Sequence, residues 1–170
     1  TRNCEAFYFK IKPLDYSKIP SPEFVLDEKL LRKNLELINR VQNEAGIEII
    51  LAFKGFAMWS VFPLVREYLS GATASSLFEA RLCFEEMKTR AHVYSPVYFE
   101  NEFDELMSYS SHIVFNSVKQ FQKFYHQIKK ADHHISCGIR VNPEFSDVGT
   151  DLYNPSAAGS RLGVGSAEFP

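Results

Sequence analysis

Apolar residues recur along the chain at two alternating spacings, one typical of helices and the other typical of buried strands. The first helix is predicted between Asp27, a residue that can cap its start, and Gly46, a residue that can end it. Within these limits the apolar residues lie three or four positions apart: Leu31, Leu35, Ile38 and Val41. The segment 47–53, rich in isoleucine and bounded by Gly46 and Gly55, then predicts a buried strand.

Four more strands are predicted at 72–74, 92–95, 112–115 and 135–141, so that strand starts lie about 20 to 25 residues apart. A helical pattern precedes each of them, and Ser76 and Ser117 can cap two of these helices. The residues expected to face inward are Val61, Leu64, Val65, Tyr68, Ala80, Cys83, Phe84, Met87, Phe103, Leu106, Met107, Phe121, Phe124, Tyr125 and Ile128. Strands that alternate with helices in this way indicate βαβ units, and therefore an α/β fold with a parallel sheet.

Composition and length limit the possible classes of protein. The chain has 170 residues, of which 45% are hydrophobic, and this share can form a packed core. The net charge of −2 provides no basic surface for nucleic acid, and no apolar run is long enough to cross a membrane. Residues 1–22 are expected to be irregular and residues 23–170 to form the folded domain. Cys83 and Cys137 lie among apolar neighbours, which favours reduced core thiols in a cytoplasmic protein.

Functional residues of parallel α/β proteins collect where the strands end, and this rule selects a small set of side chains. The set comprises Lys54, Thr73, Ser75, Ser76, Ser95, Asn116, Ser117, Arg140 and Asn142. Lys54 is the most informative member, because a lysine at the mouth of an apolar strand is expected to be partly desolvated. A neutral amine at this place can attack a carbonyl and form a Schiff base, although a surface lysine at a strand end has the same sequence signature.

The segment LAFKGF around Lys54 resembles the cofactor-lysine segment of fold-type III pyridoxal-phosphate enzymes, the alanine racemase and basic amino acid decarboxylase group. Three further segments resemble elements of that group in the right order: ATASSLFE, IRVNP and SRLGV. A narrower resemblance, carried by AFKGFAMWSVF, VYSP, IVFNSVKQF, IRVNPEFS and LYNPSAAGSRLG, is to the carboxynorspermidine (carboxyspermidine) decarboxylases. The LYNP loop followed by SRLG distinguishes this family from the diaminopimelate decarboxylases.

The resemblance implies pyridoxal 5′-phosphate as cofactor and Lys54 as the catalytic residue that holds it. It implies that Ala52, Ser75, Glu79 and Arg140 contact the cofactor. The presence of Glu79 is explained equally well if it is the capping-box partner of Ser76, and that of Arg140 if it forms a buried ion pair at the strand end. Thr73 stands where ornithine decarboxylases carry an aspartate beside the cofactor lysine. No ligand set for a metal is visible in the sequence.

The implied reaction is decarboxylation of carboxynorspermidine or carboxyspermidine to norspermidine or spermidine, with the cofactor as electron sink. The implied partners are a small-molecule polyamine substrate and a second subunit in a homodimer. The implied fold is a (β/α)₈ barrel of the alanine racemase type, which typically needs roughly 250 residues. We therefore expect the chain to be an N-terminal part of such a barrel, inactive alone, with the family's C-terminal β-domain outside it. The alternatives are a diaminopimelate or ornithine decarboxylase and a non-catalytic barrel that only carries the cofactor.

Overall fold

The computed structural model describes residues 15–150, 153–157 and 159–168, so that most of the segment 1–22, which was predicted to be irregular, lies outside the described residues. Within these ranges the chain forms helices α1 (Glu28–Ala45), α2 (Phe62–Val65), α3 (Leu77–Leu82), α4 (Glu100–Ser108) and α5 (Val118–Ile128). The strands are β1 (Leu51–Ala52), β2 (Ala72–Ala74), β3 (Ala91–Tyr94), β4 (Ser110–Phe115) and β5 (Ser136–Ile139). Short 3₁₀ turns occur at Tyr16–Lys18, Trp59–Val61 and Ser166–Glu168, and α3 runs into a π-helical turn at Cys83–Met87.

The five strands form one parallel sheet whose spatial order, β1-β2-β3-β4-β5, is also their order in the sequence. This confirms the α/β class and the parallel sheet. Neighbours in register share a face of a sheet, so Ala52, Thr73, His92, His112 and Ser136 form one row across all five strands. We call the side of the sheet that carries this row the open face, because these residues are half-buried or exposed.

The opposite side of the sheet carries the hydrophobic core. Its strand residues are fully or almost fully buried and pack with residues of all the helices: Ala72, Ala74, Ala91, Val93, Ile113 and Phe115. An aromatic cluster lies at the centre, where Phe103 of α4 stacks on Phe124 of α5 with 4.0 Å between ring centroids. Burial of these large rings supplies much of the free energy that holds the helices on this side.

Helix ends follow the sequence signals closely. Asp27 accepts hydrogen bonds from the backbone N–H groups of Lys29 and Leu30, and Gly46 ends α1 in the left-handed conformation at φ 64°. Ser76 and Ser117 cap α3 and α5 through their side-chain oxygens. Each of these four caps confirms the prediction made from the sequence. None of the helices formed by the described residues is long and apolar enough to cross a membrane.

Three elements are shorter than predicted. β1 covers two residues rather than 47–53, because within the described residues it pairs only with the three-residue strand β2. β5 covers Ser136–Ile139 rather than 135–141, and Val141 instead makes an isolated bridge with Val164. α2 ends at Val65. The N–H of Glu67 then donates to the carbonyl of Leu64, and the N–H of Tyr68 to that of Val65, which are the tighter i→i−3 hydrogen bonds of a 3₁₀ turn.

Four side chains predicted to be inside are exposed: Val41, Phe84, Tyr125 and Cys137. Cys137 lies on the helix side of the sheet, in register with the buried Ile113, but β5 is the last strand of the described sheet and leaves it open. Cys83 is fully buried as expected, and burial raises the pKa of its thiol to about 11.

Candidate active site

The turn that carries Lys54 is built directly on the end of β1. The carbonyl oxygen of Ala52 accepts hydrogen bonds from the N–H groups of Gly55 and Phe56, at 3.0 and 3.1 Å. Phe53 is buried and stacks on Phe62 with 5.1 Å between ring centroids, which fixes this turn to the core. Lys54 lies in this turn, two residues beyond Ala52 at the carboxyl end of β1.

Lys54 is exposed in this structure, although its position had predicted a partly desolvated amine. The difference arises because Lys54 stands beyond the last paired residue of β1, and among the described strands β2 alone lies beside β1. Ala52, at the end of β1, is also exposed and has a small side chain. Thr73 is in register with Ala52 and is therefore its neighbour in β2 on the open face.

Glu79 has a structural partner. Its Oε2 atom accepts a hydrogen bond of 2.6 Å from the backbone N–H of Ser75, while its own N–H donates to Oγ of Ser76. This is close to the predicted capping box, displaced by one residue because the carboxylate accepts from Ser75 instead of Ser76. This confirms the capping role of Glu79. The same hydrogen bond holds Ser75 and Glu79, both predicted to contact the cofactor, together at the end of β2.

Arg140 directly follows β5, at the opposite side edge of the sheet from β1. Its backbone continues the sheet, with the N–H donating to the carbonyl of Phe115 at 2.8 Å. The guanidinium carbon lies 5.0 Å from the ring centroid of Tyr94, a cation–π contact on the open face. The alternative of a strand-end ion pair finds no carboxylate partner for Arg140 among the described residues.

Several residues of the open face were not singled out from the sequence. Tyr94 supports Arg140, and its hydroxyl donates to Asn116, a residue known beforehand only as a polar strand end. His92 and His112 lie one row closer to the strand starts, with ring centroids 3.8 Å apart. Burial and the neighbouring His112 lower the pKa of His92. Alternation within each strand could have placed these residues on one face, but not side by side.

Two cavities lie near the carboxyl ends of the strands. One of about 220 Å³, at the ends of β2 and β3, is lined by Ser75, Ser95, Phe78 and Val97 among others. A wider one, about 990 Å³, is formed by the segment that follows β5 and includes Glu144, Tyr153 and Arg161. Lys54 lines neither cavity, so the lysine and the loop cavity are separate features of the same sheet edge.

Comparison with known proteins places these features in context. The chain is 48% identical over 151 residues to carboxyaminopropylagmatine decarboxylase of Synechocystis, a match covering 89% of this chain and 38% of that protein. It is 44% identical over 154 residues to carboxynorspermidine/carboxyspermidine decarboxylase of Campylobacter jejuni, covering 91% of this chain and 39% of the relative. The chain is a homologue of the carboxy(nor)spermidine decarboxylases. No family model matches it.

A solved structure agrees with this assignment. The crystal structure of carboxynorspermidine decarboxylase complexed with norspermidine, from Campylobacter jejuni, aligns with a TM-score of 0.75 and 41% sequence identity. The alignment covers 88% of this chain and 37% of the decarboxylase chain. The chain thus spans less than two fifths of the length of the carboxy(nor)spermidine decarboxylases that it matches.

Proposed function

We propose that the protein carrying this chain is a pyridoxal-phosphate-dependent decarboxylase of carboxylated polyamines, and that Lys54 holds the cofactor. The observation that carries the proposal is the position of Lys54 at the end of a parallel strand, in a homologue of known decarboxylases. The sequential strand order and the single helix-covered side support a barrel in which the open face lines the interior. The homodimer and the cytoplasmic location expected from the sequence stay predictions.

The residues at the strand ends fit such a cofactor. The exposed Lys54 amine is available to bind the aldehyde carbon, and Ala52, at the end of β1, is small and also exposed. Ser75 and Glu79 fix the end of β2 through their mutual hydrogen bond. Arg140 offers a cation for an anionic oxygen of the cofactor, and the Tyr94 ring holds this guanidinium without neutralising its charge. When bound, pyridoxal phosphate supplies an electron sink for the pair left on carbon as CO₂ departs.

Three side chains of this chain would carry a proton, donate a hydrogen bond or stabilise charge during the proposed decarboxylation. The Nζ atom of Lys54 would hold the cofactor, and when free it could carry a proton to the substrate carbon. The Thr73 hydroxyl is placed to hydrogen-bond on the open face where an aspartate would have supplied a charge. Arg140 keeps its positive charge throughout, so it favours negative charge that develops nearby.

We expect borohydride reduction of the protein expressed from its complete gene, loaded with pyridoxal phosphate, to fix the cofactor on Lys54. Reduction makes the lysine–cofactor linkage permanent, and peptide mapping by mass spectrometry then locates it. The peptide carrying Lys119, an exposed lysine of α5, is the internal control and should carry no label. A label found mainly on any other lysine would show that the site assignment is wrong.

A substrate panel tests the proposed class. The names of the relatives point to carboxyaminopropylagmatine and to carboxynorspermidine or carboxyspermidine, and we expect CO₂ release from at least one of these three. Diaminopimelate and ornithine, the substrates of the alternative decarboxylases, should give at least tenfold lower kcat/KM, about 1.4 kcal/mol of discrimination. Preference for either amino acid would contradict the proposal, and cofactor binding without any turnover would favour a cofactor carrier.

A further inference from the structure

The side chain of Asn116 makes three hydrogen bonds, one to Tyr94 of β3 and two to the segment Arg161–Gly163 that follows β5. Its Oδ1 atom accepts from the Tyr94 hydroxyl at 2.9 Å and from the backbone N–H of Gly163 at 2.7 Å. Its Nδ2 atom donates to the backbone carbonyl of Arg161 at 2.7 Å. A strand-end asparagine commonly caps the next helix, but here Ser117 caps α5. The carboxamide of Asn116 is therefore free to bind partners that are distant in sequence.

The segment held by Asn116 lies tightly against the end of β5. Val164 donates to the carbonyl of Arg140 at 2.9 Å, and Asn142 donates to the carbonyl of Val164 at 2.8 Å. Gly163 has φ 85°, and a Cβ atom at this residue would lie only 2.9 Å from the backbone nitrogen of Asn142. A side chain at residue 163 is excluded both by the backbone conformation and by the lack of space. Glycine therefore allows the N–H of Gly163 and the C=O of Arg161 to lie within hydrogen-bonding distance of Asn116.

The same carboxamide also reaches the group that supports Arg140. The Tyr94 hydroxyl donates to Asn116, and the Tyr94 ring lies under the guanidinium of Arg140 at 5.0 Å. Asn116 thus connects the ends of β3 and β4 with the segment that follows β5. Aspartate could accept the same two hydrogen bonds at Oδ1, but an ionised carboxylate cannot donate to the Arg161 carbonyl.

We propose that Asn116 is a positioning residue, which fixes the segment Arg161–Gly163 across the end of β5 and fixes Tyr94 beneath Arg140. The anchoring of the segment stands on the hydrogen bonds alone. Its consequence, that Asn116 raises the affinity for the anionic cofactor by orienting Arg140, rests on the proposed function.

Limited trypsin digestion tests the anchoring, because the exposed Arg161 marks a cleavable bond inside the anchored segment. In the protein expressed from its complete gene, we expect Asn116→Ala to speed cleavage after Arg161 roughly tenfold, since two backbone hydrogen bonds are lost. Asn101→Ala, at an exposed position of α4, should cleave at the wild-type rate. Asn116→Asp keeps the acceptor and should cleave at an intermediate rate. Cleavage of Asn116→Ala at the wild-type rate would overturn the proposal.

Circular dichroism shows whether each variant is folded. Should Asn116→Ala not fold, Asn116→Asp decides alone, and a wild-type cleavage rate for Asn116→Asp would then overturn the anchoring. For the second part, titration of the folded apoproteins with pyridoxal phosphate should show roughly tenfold weaker binding by Asn116→Ala than by Asn101→Ala. Faster cleavage with unchanged affinity would overturn the link to Arg140. If the wild type itself does not bind the cofactor, the proposed function fails while the cleavage result still tests the anchoring.

Discussion

Replacing Lys54 with alanine is expected to lower the decarboxylation rate of the protein expressed from its complete gene by roughly a thousandfold or more. The substitution removes the amine that is proposed to bind the cofactor and leaves a methyl group at an exposed position of a turn. The loss should therefore concern chemistry and not folding. Two measurements check this: the rate of CO₂ release, and the absorbance of protein-bound pyridoxal phosphate after gel filtration.

Lys119→Ala is the matched control, because Lys119 is also an exposed lysine but lies in α5, on the helix-covered side of the sheet. It should keep wild-type activity and wild-type cofactor content. The thermal unfolding midpoints of both variants should stay near that of the wild type. Retention of a tenth or more of the activity by Lys54→Ala would show that another residue holds the cofactor.

Phe103→Ala is expected to lower the free energy of unfolding by about 3–5 kcal/mol, the range for removing a large buried aromatic side chain. Phe103 is fully buried, stacks on Phe124, and meets the ring of Tyr98 edge-on at 5.6 Å. The hydroxyl of Tyr98 donates to the backbone carbonyl of Val114 at 2.8 Å, so this cluster also supports the strand next to Asn116. Urea unfolding followed by circular dichroism measures the change.

Phe78→Ala makes the same chemical change at a side chain that is 73% exposed, in the first turn of α3. It should change the free energy of unfolding by less than about 1 kcal/mol. The comparison isolates burial from the loss of an aromatic ring as such. Equal effects of the two substitutions would mean that the cluster around Phe103 does not form the core.

Local sequence signals predicted most of the framework. The strand at 72–74 has the predicted limits, and Asp27, Gly46, Ser76 and Ser117 end or begin helices as expected. These features depend on hydrogen bonds between residues that are close in sequence, so the pattern around each residue contains the needed information.

Features that depend on distant neighbours were predicted less well. The segment predicted as a strand at 47–53 gives only a two-residue strand, and Cys137 is exposed, because among the described residues β1 and β5 each have a neighbouring strand on one side only. The place of a strand in a sheet is not encoded in its own residues. Apolarity alone therefore could not distinguish a central strand from an edge strand.

The same distinction applies to the site. Lys54 and Arg140 could be selected because each directly follows a strand, and the resemblance assigned them roles. The support of Arg140 by Tyr94, and the bonds from Asn116 to residues 45 and 47 positions later in the chain, depend on strand register and side-chain direction. Neither quantity can be obtained from the spacing of apolar residues.

The sequential strand order also determines which parts of the molecule can change independently of one another. Lys54, Thr73, Tyr94, Asn116 and Arg140 each follow or belong to a different strand, so each is delivered by a separate βα unit. The long segment after β5 is attached through Gly163 and Asn116, far along the row from Lys54. Substitutions in this segment can therefore change the wide cavity that it forms while the lysine end of the sheet keeps its structure.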